Sequence, residues 1–277
     1  MATASTSVTD KRRAFRDLHV SGCFLIPNPW SIGTAKYLQQ LGFKALATTS
    51  SGFAWSQGLA DNALSRDQAI AHFESLVAAT DVPINADFEG GYARNTSELA
   101  ENVALAVRTG IAGLSIEDST GNPERPLHDL PSAVERIRAA RRAIDEAGDD
   151  ALLIGRAECY LVGRPDLTET IARLQAYAAA GADCLYAPGL KAREDIAAVV
   201  AAVAPKPVNL LIGSVSGFTM AEIAALGVRR VSVGGALARA AWGAFMRSAQ
   251  MLALEGRFDG FKDAASGADL DDFFRRA

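Results

Sequence analysis

Cysteine, histidine and basic charge are all in short supply in this chain of 277 residues, and each shortage closes off a class of function. Cys23, Cys159 and Cys184 stand far apart with no CxxC spacing, so neither a disulfide framework nor a thiolate zinc site is indicated, and a reducing compartment fits best. His19, His72 and His128 share no spacing and read as surface or packing residues. Lys and Arg number 28 against 32 Asp and Glu, a formal net charge of -4. An acidic chain lacks the footprint that neutralises phosphates, which excludes nucleic acid as a partner. No run approaches the roughly 20 apolar residues of a membrane span, and the polar start MATASTSVTDKRRAFRDLHV carries no apolar segment after its charges. The expectation is a cytoplasmic protein with no membrane partner. No linker rich in Pro, Gly and Ser divides it. Residues 1–277 therefore read as one domain, with a polar leader of about ten residues and a C-terminal helical tail.

Hydrophobic residues are plentiful, at 49%, and they fall in one repeated rhythm: a short apolar run, a polar or Gly-rich break, an amphipathic stretch of helical period. The strand candidates are Cys23–Ile26, Ala45–Thr48, Pro83–Ala86, Gly113–Ile116, Leu152–Gly155, Cys184–Ala187, Pro207–Leu210 and Arg230–Val233. Almost wholly apolar strands belong to a parallel sheet covered on both faces. The helix candidates are Ile32–Leu41, Arg66–Ala79, Ser97–Thr109, Ser132–Glu146, Leu167–Ala180, Arg193–Ala202, Thr219–Leu226 and Ala236–Glu255, several followed by a glycine suited to a left-handed cap. Eight right-handed βαβ repeats predict a (β/α)8 TIM-type barrel. The competing doubly wound sheet lacks its GxGxxG after the first strand. The tail FDGFKDAASGADLDDFFRR mixes aromatic and acidic residues and is expected to dock on a neighbouring subunit.

In such barrels chemistry sits just past the C-terminal strand ends. There this sequence places Asn28 and Trp30, Thr48 to Gly52, Asp87 to Tyr92, Glu117 and Asp118, Arg156 to Glu158, Asn209, and Gly234 and Gly235. Asp87, Glu89 and Glu117 end adjacent strands and are expected to converge, a crowding of hard oxygens that calls for Mg2+ or Mn2+. The alternative is that these acids bond Arg156 and Arg94 or cap helices. Ser50, Ser51 and Gly52 form an expected turn whose backbone N–H groups suit a ligand carboxylate. Arg156 would meet either that carboxylate or the acids. Trp30, beside Asn28, is a candidate for the wall of the site.

The run Thr48-Thr49-Ser50-Ser51-Gly52, then Gly58-Leu59-Ala60-Asp61, Asp87-Phe88-Glu89-Gly90-Gly91-Tyr92, Glu117-Asp118, Arg156 and Pro207-Val208-Asn209 resembles the isocitrate lyase/phosphoenolpyruvate mutase superfamily in order and spacing. The resemblance implies a homodimer or a homotetramer built as a dimer of dimers, the eighth helix exchanged between subunits, around a Mg2+-bound 2-oxo acid or its enolate. It also implies that Asp87 contacts the metal directly while Glu89, in place of a second Asp, and Glu117 hold it through waters. Ser50, Ser51, Gly52 and Arg156 match the carboxylate cradle, Asp61 the acid near the reacting carbon, and Asn209 a pocket residue. The sequence departs from the family after Glu117: Ser119-Thr120-Gly121-Asn122-Pro123-Glu124-Arg125 replaces the Lys-Lys-Cys-Gly-His loop of the carbon-carbon lyases, and no lysine lies between Lys44 and Lys191. The missing cysteine argues against isocitrate-type cleavage by the familiar route, and the missing lysines against phosphoryl chemistry. What remains is enolate chemistry on a 2-oxo acid, as in oxaloacetate decarboxylation or a retro-aldol cleavage, with Asp61, Arg156 and Glu117 as the catalytic candidates. The rival readings are a phosphonomutase or phosphonopyruvate hydrolase, and a non-catalytic 2-oxo acid binding protein.

Overall fold

Short apolar runs with Gly or polar residues at both ends have no exposed face to pair alternately, so they bury themselves in a parallel sheet. A computed structural model, describing residues 6–148 and 150–276, shows eight such strands. They are β1 (Phe24–Ile26), β2 (Leu46–Ala47), β3 (Ile84–Asp87), β4 (Gly113–Glu117), β5 (Leu152–Arg156), β6 (Cys184–Tyr186), β7 (Val208–Leu211) and β8 (Arg230–Ser232). All lie within a residue or two of the expected bounds. Every pairing is parallel, in the order β1-β8-β7-β6-β5-β4-β3-β2. The circle is closed by the Ala47 N–H, which donates to the Pro27 carbonyl at 3.1 Å just beyond β1.

The helices are α1 (Val8–Leu18), α2 (Ile32–Gln40), α3 (Ser50–Ser56), α4 (Arg66–Ala79), α5 (Thr96–Arg108), α6 (Leu130–Glu146), α7 (Leu167–Ala179), α8 (Arg193–Val203), α9 (Met220–Ala225), α10 (Ala236–Glu255) and α11 (Gly267–Arg276). Most begin at a side-chain cap; Ser31, Ser65 and Thr219 each form a reciprocal capping box with the residue three positions on. Helices α4 and α10 occupy the expected ranges to the residue.

Three elements correct the sequence reading. The leader is not merely polar: α1 begins inside it, with residues 1–5 outside the described region. Its face carries buried Lys11, Arg12 and Phe15. The cations donate to carbonyls at the ends of α4 and α5, Lys11 to Val77 at 3.1 Å and Arg12 Nη2 to Val107 at 2.8 Å, where the helix dipole favours positive charge. Phe15 is fully buried among Ile26, Ala45, Ala112 and Leu152 at the N-terminal end of the barrel. Second, the Ser50–Gly52 turn is the opening of α3, capped by Thr49 Oγ1 accepting from the Gly52 N–H at 3.3 Å. Third, the tail helix α11 has a contact on its own barrel: Phe273 meets Tyr37 of α2 with ring centroids 5.2 Å apart.

The main apolar core lies between strands and helices. The barrel interior is unusually polar: Asn85, Ser115, Asn209, Arg230 and Ser232 are all buried, where branched apolar side chains ordinarily fill the layers.

Candidate active site

The loop after β3 is wound tightly enough to fold back on the strand end. Glu89 and Tyr92 take left-handed backbone angles, φ 49° and 51°, which cost L residues of order 1 kcal/mol or more each. Between them Gly91 also has positive φ, and a Cβ there would stand 2.1 Å from Leu99 Cδ1. The strained loop is held from outside: Asn102 Nδ2 donates to the Gly91 and Tyr92 carbonyls at 3.0 and 3.1 Å, and Arg136 to those of Gly90 and Ala93.

This winding brings carboxylates together. Asp87 Oδ2 accepts from the Ser50 N–H at 3.0 Å and the Ser50 hydroxyl at 2.9 Å, while Oδ1 accepts from Arg156 Nη1 at 3.1 Å. The same guanidinium reaches Glu117 at 3.2 Å and Glu158 at 2.5 Å, and its centre lies 5.1 Å from the Tyr186 ring. One cation thus serves three acids. Burial raises Glu117 far above the ordinary carboxylate range in spite of Arg156, and raises Glu158 likewise. Glu89 is pushed up to about 7, by burial first and by the charge of Asp87 second. Its Oε1 is buried without a hydrogen bond, as is the Tyr92 hydroxyl, although Tyr92 stands near enough to favour the ionised acid. Asp61, exposed on the loop after α3, still has its carboxyl raised by partial burial and then by Asp87.

Of these groups Ser50, Asp61, Asp87, Arg156 and Tyr186 line a cavity of about 180 Å3 at the C-terminal mouth, whose wall also includes Ser51 and Arg230, while Glu89, Glu117 and Glu158 stand outside it. Other expected residues lie elsewhere. Glu117 sits behind Arg156, against Asp118 and Arg136. Gly52 is buried, and a Cβ on it would meet Trp30 and Ala238; Trp30 packs there and is not part of the wall. Asn209 supports the floor, donating to Ser232 Oγ at 3.0 Å and accepting from Arg230 Nε at 2.8 Å. Of the expected carboxylate cradle, the Ser50 N–H is committed to Asp87 and the Gly52 N–H to the cap. Sequence reasoning missed Arg230, a cation fully buried in the floor with Asn209, Asn85 and His19 around it and no carboxylate partner. The available signal was a charge inside an otherwise apolar strand.

Among the described residues no group of three His, Cys, Asp or Glu side chains is disposed to hold a metal ion by itself. Arg156 stands between Asp87 and Glu117. The donor set nonetheless suits Mg2+, which keeps most of its waters and needs only one or two carboxylates. Asp87 and Glu117 share a single guanidinium with Glu158, and the Oε1 of Glu89 is buried with no hydrogen bond.

The family model for phosphoenolpyruvate phosphomutase matches residues 15–253. An uncharacterised protein of Mycobacterium tuberculosis is 32% identical over 80% of this chain and 81% of its own length. The oxaloacetate decarboxylase of Paraburkholderia xenovorans is 28% identical over 70% of this chain and 66% of its own. Among solved structures, a Burkholderia cenocepacia protein assigned provisionally as a lyase/mutase superposes with TM-score 0.94 at 47% identity, covering 97% of both chains. Oxaloacetate acetylhydrolase bound to its product oxalate gives TM-score 0.85 at 25% identity, covering 97% of this chain and 94% of that one.

Proposed function

Since this chain belongs to the phosphoenolpyruvate phosphomutase family, and is an enzyme of the wider isocitrate lyase/phosphoenolpyruvate mutase superfamily, we propose that it is a Mg2+-dependent lyase that cleaves a 2-oxo acid or related dicarboxylate through an enolate. The observation that carries this reading is the excess of buried carboxylates over cations at the mouth, with Glu89 Oε1 left without a partner. An oxaloacetate decarboxylase and an oxaloacetate acetylhydrolase among the relatives agree with it.

Asp87, with Glu89 and Glu117 in support, would hold Mg2+ or Mn2+, which when bound polarises a ligand carbonyl and offsets enolate charge. Ser50 fixes Asp87 through two hydrogen bonds, so the carboxylate presents a set direction. Arg156, anchored by three acids, holds the positive side of the site in place and takes a share of the developing negative charge. Asp61, with its raised carboxyl facing the cavity, is the proton carrier: a carboxyl above its ordinary range holds a proton closer to neutrality.

Purified protein with Mg2+ is expected to convert oxaloacetate to pyruvate and CO2, or a 2-alkylmalate to acetate and the 2-oxo acid bearing that alkyl group, and to lose the activity with EDTA. Full activity after complete metal removal overturns the mechanism. The family model favours a second reading, a phosphonomutase or phosphonopyruvate hydrolase, which phosphorus NMR with phosphonopyruvate would reveal. Binding of 2-oxo acids with turnover of none would mark a sensor instead.

The proposed assembly is a homodimer or homotetramer with α10 exchanged between subunits. Of its residues 236–255 only Ala238 is buried, and Trp242, Phe245 and Met246 are exposed. Light scattering on the purified chain tests this, a monomer at micromolar concentration being the contrary result.

A further inference from the structure

Beside the polar cavity lies a larger one of about 570 Å3, between the loops that follow β6 and β7. Leu161 and Leu211 belong to the walls of both, so the two spaces meet at a leucine neck. Beyond it the wall carries Leu190, Ile212 and Phe218 together with the exposed loop residues Ser214, Val215 and Ser216, and it contains no acidic side chain. Its cations stand at the edge: Arg193 lies over the Phe218 ring, 5.0 Å from the centroid, and is bonded to Glu222 at 3.2 Å.

The division of chemistry is sharp. The smaller space is walled by Asp61, Asp87 and Arg156 of the mechanism, and at about 180 Å3 it falls below the 300–1,000 Å3 typical of sites for larger ligands. The larger falls within that range, and its polar side chains, Lys191, Arg193, Ser214 and Ser216, are all exposed to solvent. A ligand whose polar head fills the first can grow only through the neck.

We propose that the larger cavity receives an apolar substituent of the substrate, so that the preferred substrates are 2-oxo acids, or the dicarboxylates that release them, bearing an alkyl or aryl chain on the side away from the 2-oxo carboxylate. This rests on the polar cavity being the 2-oxo acid site. The head is held by polar groups and the chain by burial, which contributes about four-fold in affinity for each methylene removed from water.

The test is calorimetric binding of pyruvate, 2-oxobutanoate, 2-oxohexanoate and 2-oxooctanoate to the full chain with Mg2+. Affinity is expected to climb about four-fold per methylene once the chain passes the neck. In Ile212→Trp, and separately in Val215→Trp, the climb should flatten while pyruvate binds as before, since both residues line only the larger cavity. Equal affinity across the series in the unaltered protein, or the same climb in both tryptophan variants, overturns the proposal. Chain-dependent binding of the long acids without binding of pyruvate would keep the apolar cavity and remove the polar-site reading. Failure of every acid to bind overturns both.

Discussion

Glu117 and Asp118 are consecutive at the end of β4, and the pleat sends them to opposite sides of the barrel wall. Asp118 points into the helix layer and is fully served: Arg173 Nη1 donates at 2.9 Å, the Tyr177 hydroxyl at 2.5 Å and the Glu158 N–H at 2.8 Å. Arg173 is completed by Glu169 at 2.7 Å and the His128 carbonyl at 3.0 Å. Glu117 points inward and shares Arg156 with two other acids. Both carboxylates are buried, yet only the outer one belongs to a closed network. Buried charge that is fully paired holds helix to strand; buried charge in excess keeps a place for something that arrives.

Removing one side of the closed network should have the largest effect. Asp118→Ala leaves buried Arg173 with Glu169 as its one carboxylate and strands the Tyr177 hydroxyl and the Glu158 N–H, and is expected to cost about 3–5 kcal/mol in urea unfolding, with Glu117→Gln costing far less; equal losses would erase the distinction. Next comes pH. Glu89 ionises near 4.5 in the unfolded chain and near 7 in the fold, so the folded state binds the extra proton between those values. Stability of the metal-free protein should therefore fall by about 2–3 kcal/mol as pH rises from 4.5 to 7. Glu89→Gln should remove that part of the slope, read from urea midpoints at pH 5 and 7.5. Smaller again, Mg2+ at ten times its Kd should stabilise the protein by about 1.4 kcal/mol, seen as a rise in Tm that Asp87→Asn abolishes and Asp118→Asn retains. Least of all, Ser50→Ala removes one of two hydrogen bonds to Asp87 Oδ2 and should cost about 1 kcal/mol, measurable as a rise in KM greater than any change in Tm.

The barrel was legible because parallel strands covered on both faces leave unbroken apolar runs, and βαβ repetition allows few closures. Helix α1 was hidden because its buried face carries Lys11 and Arg12, whose partners are carbonyls of α4 and α5 distant in sequence. Helix α3 was hidden because a Thr-Ser-Ser-Gly run is good turn chemistry as well as a good helix start. In the site, the strand-end rule brought Asp87, Ser50, Ser51 and Arg156 to one cavity, and the family resemblance added Asp61. The rule does not say which acid takes which hydrogen bond. So the commitment of Arg156 to three carboxylates, the retreat of Trp30 and Asn209 from the wall, and the buried Arg230 required coordinates.

Helix α1 carries one more consequence. With Phe15 fully buried among the strand beginnings and Lys11 and Arg12 fastened to the helices around them, the barrel is stoppered at that end and has a single doorway. A product leaving by the threshold where the next reactant enters is expected to exclude it, so retained product should behave as a competitive inhibitor in steady-state kinetics.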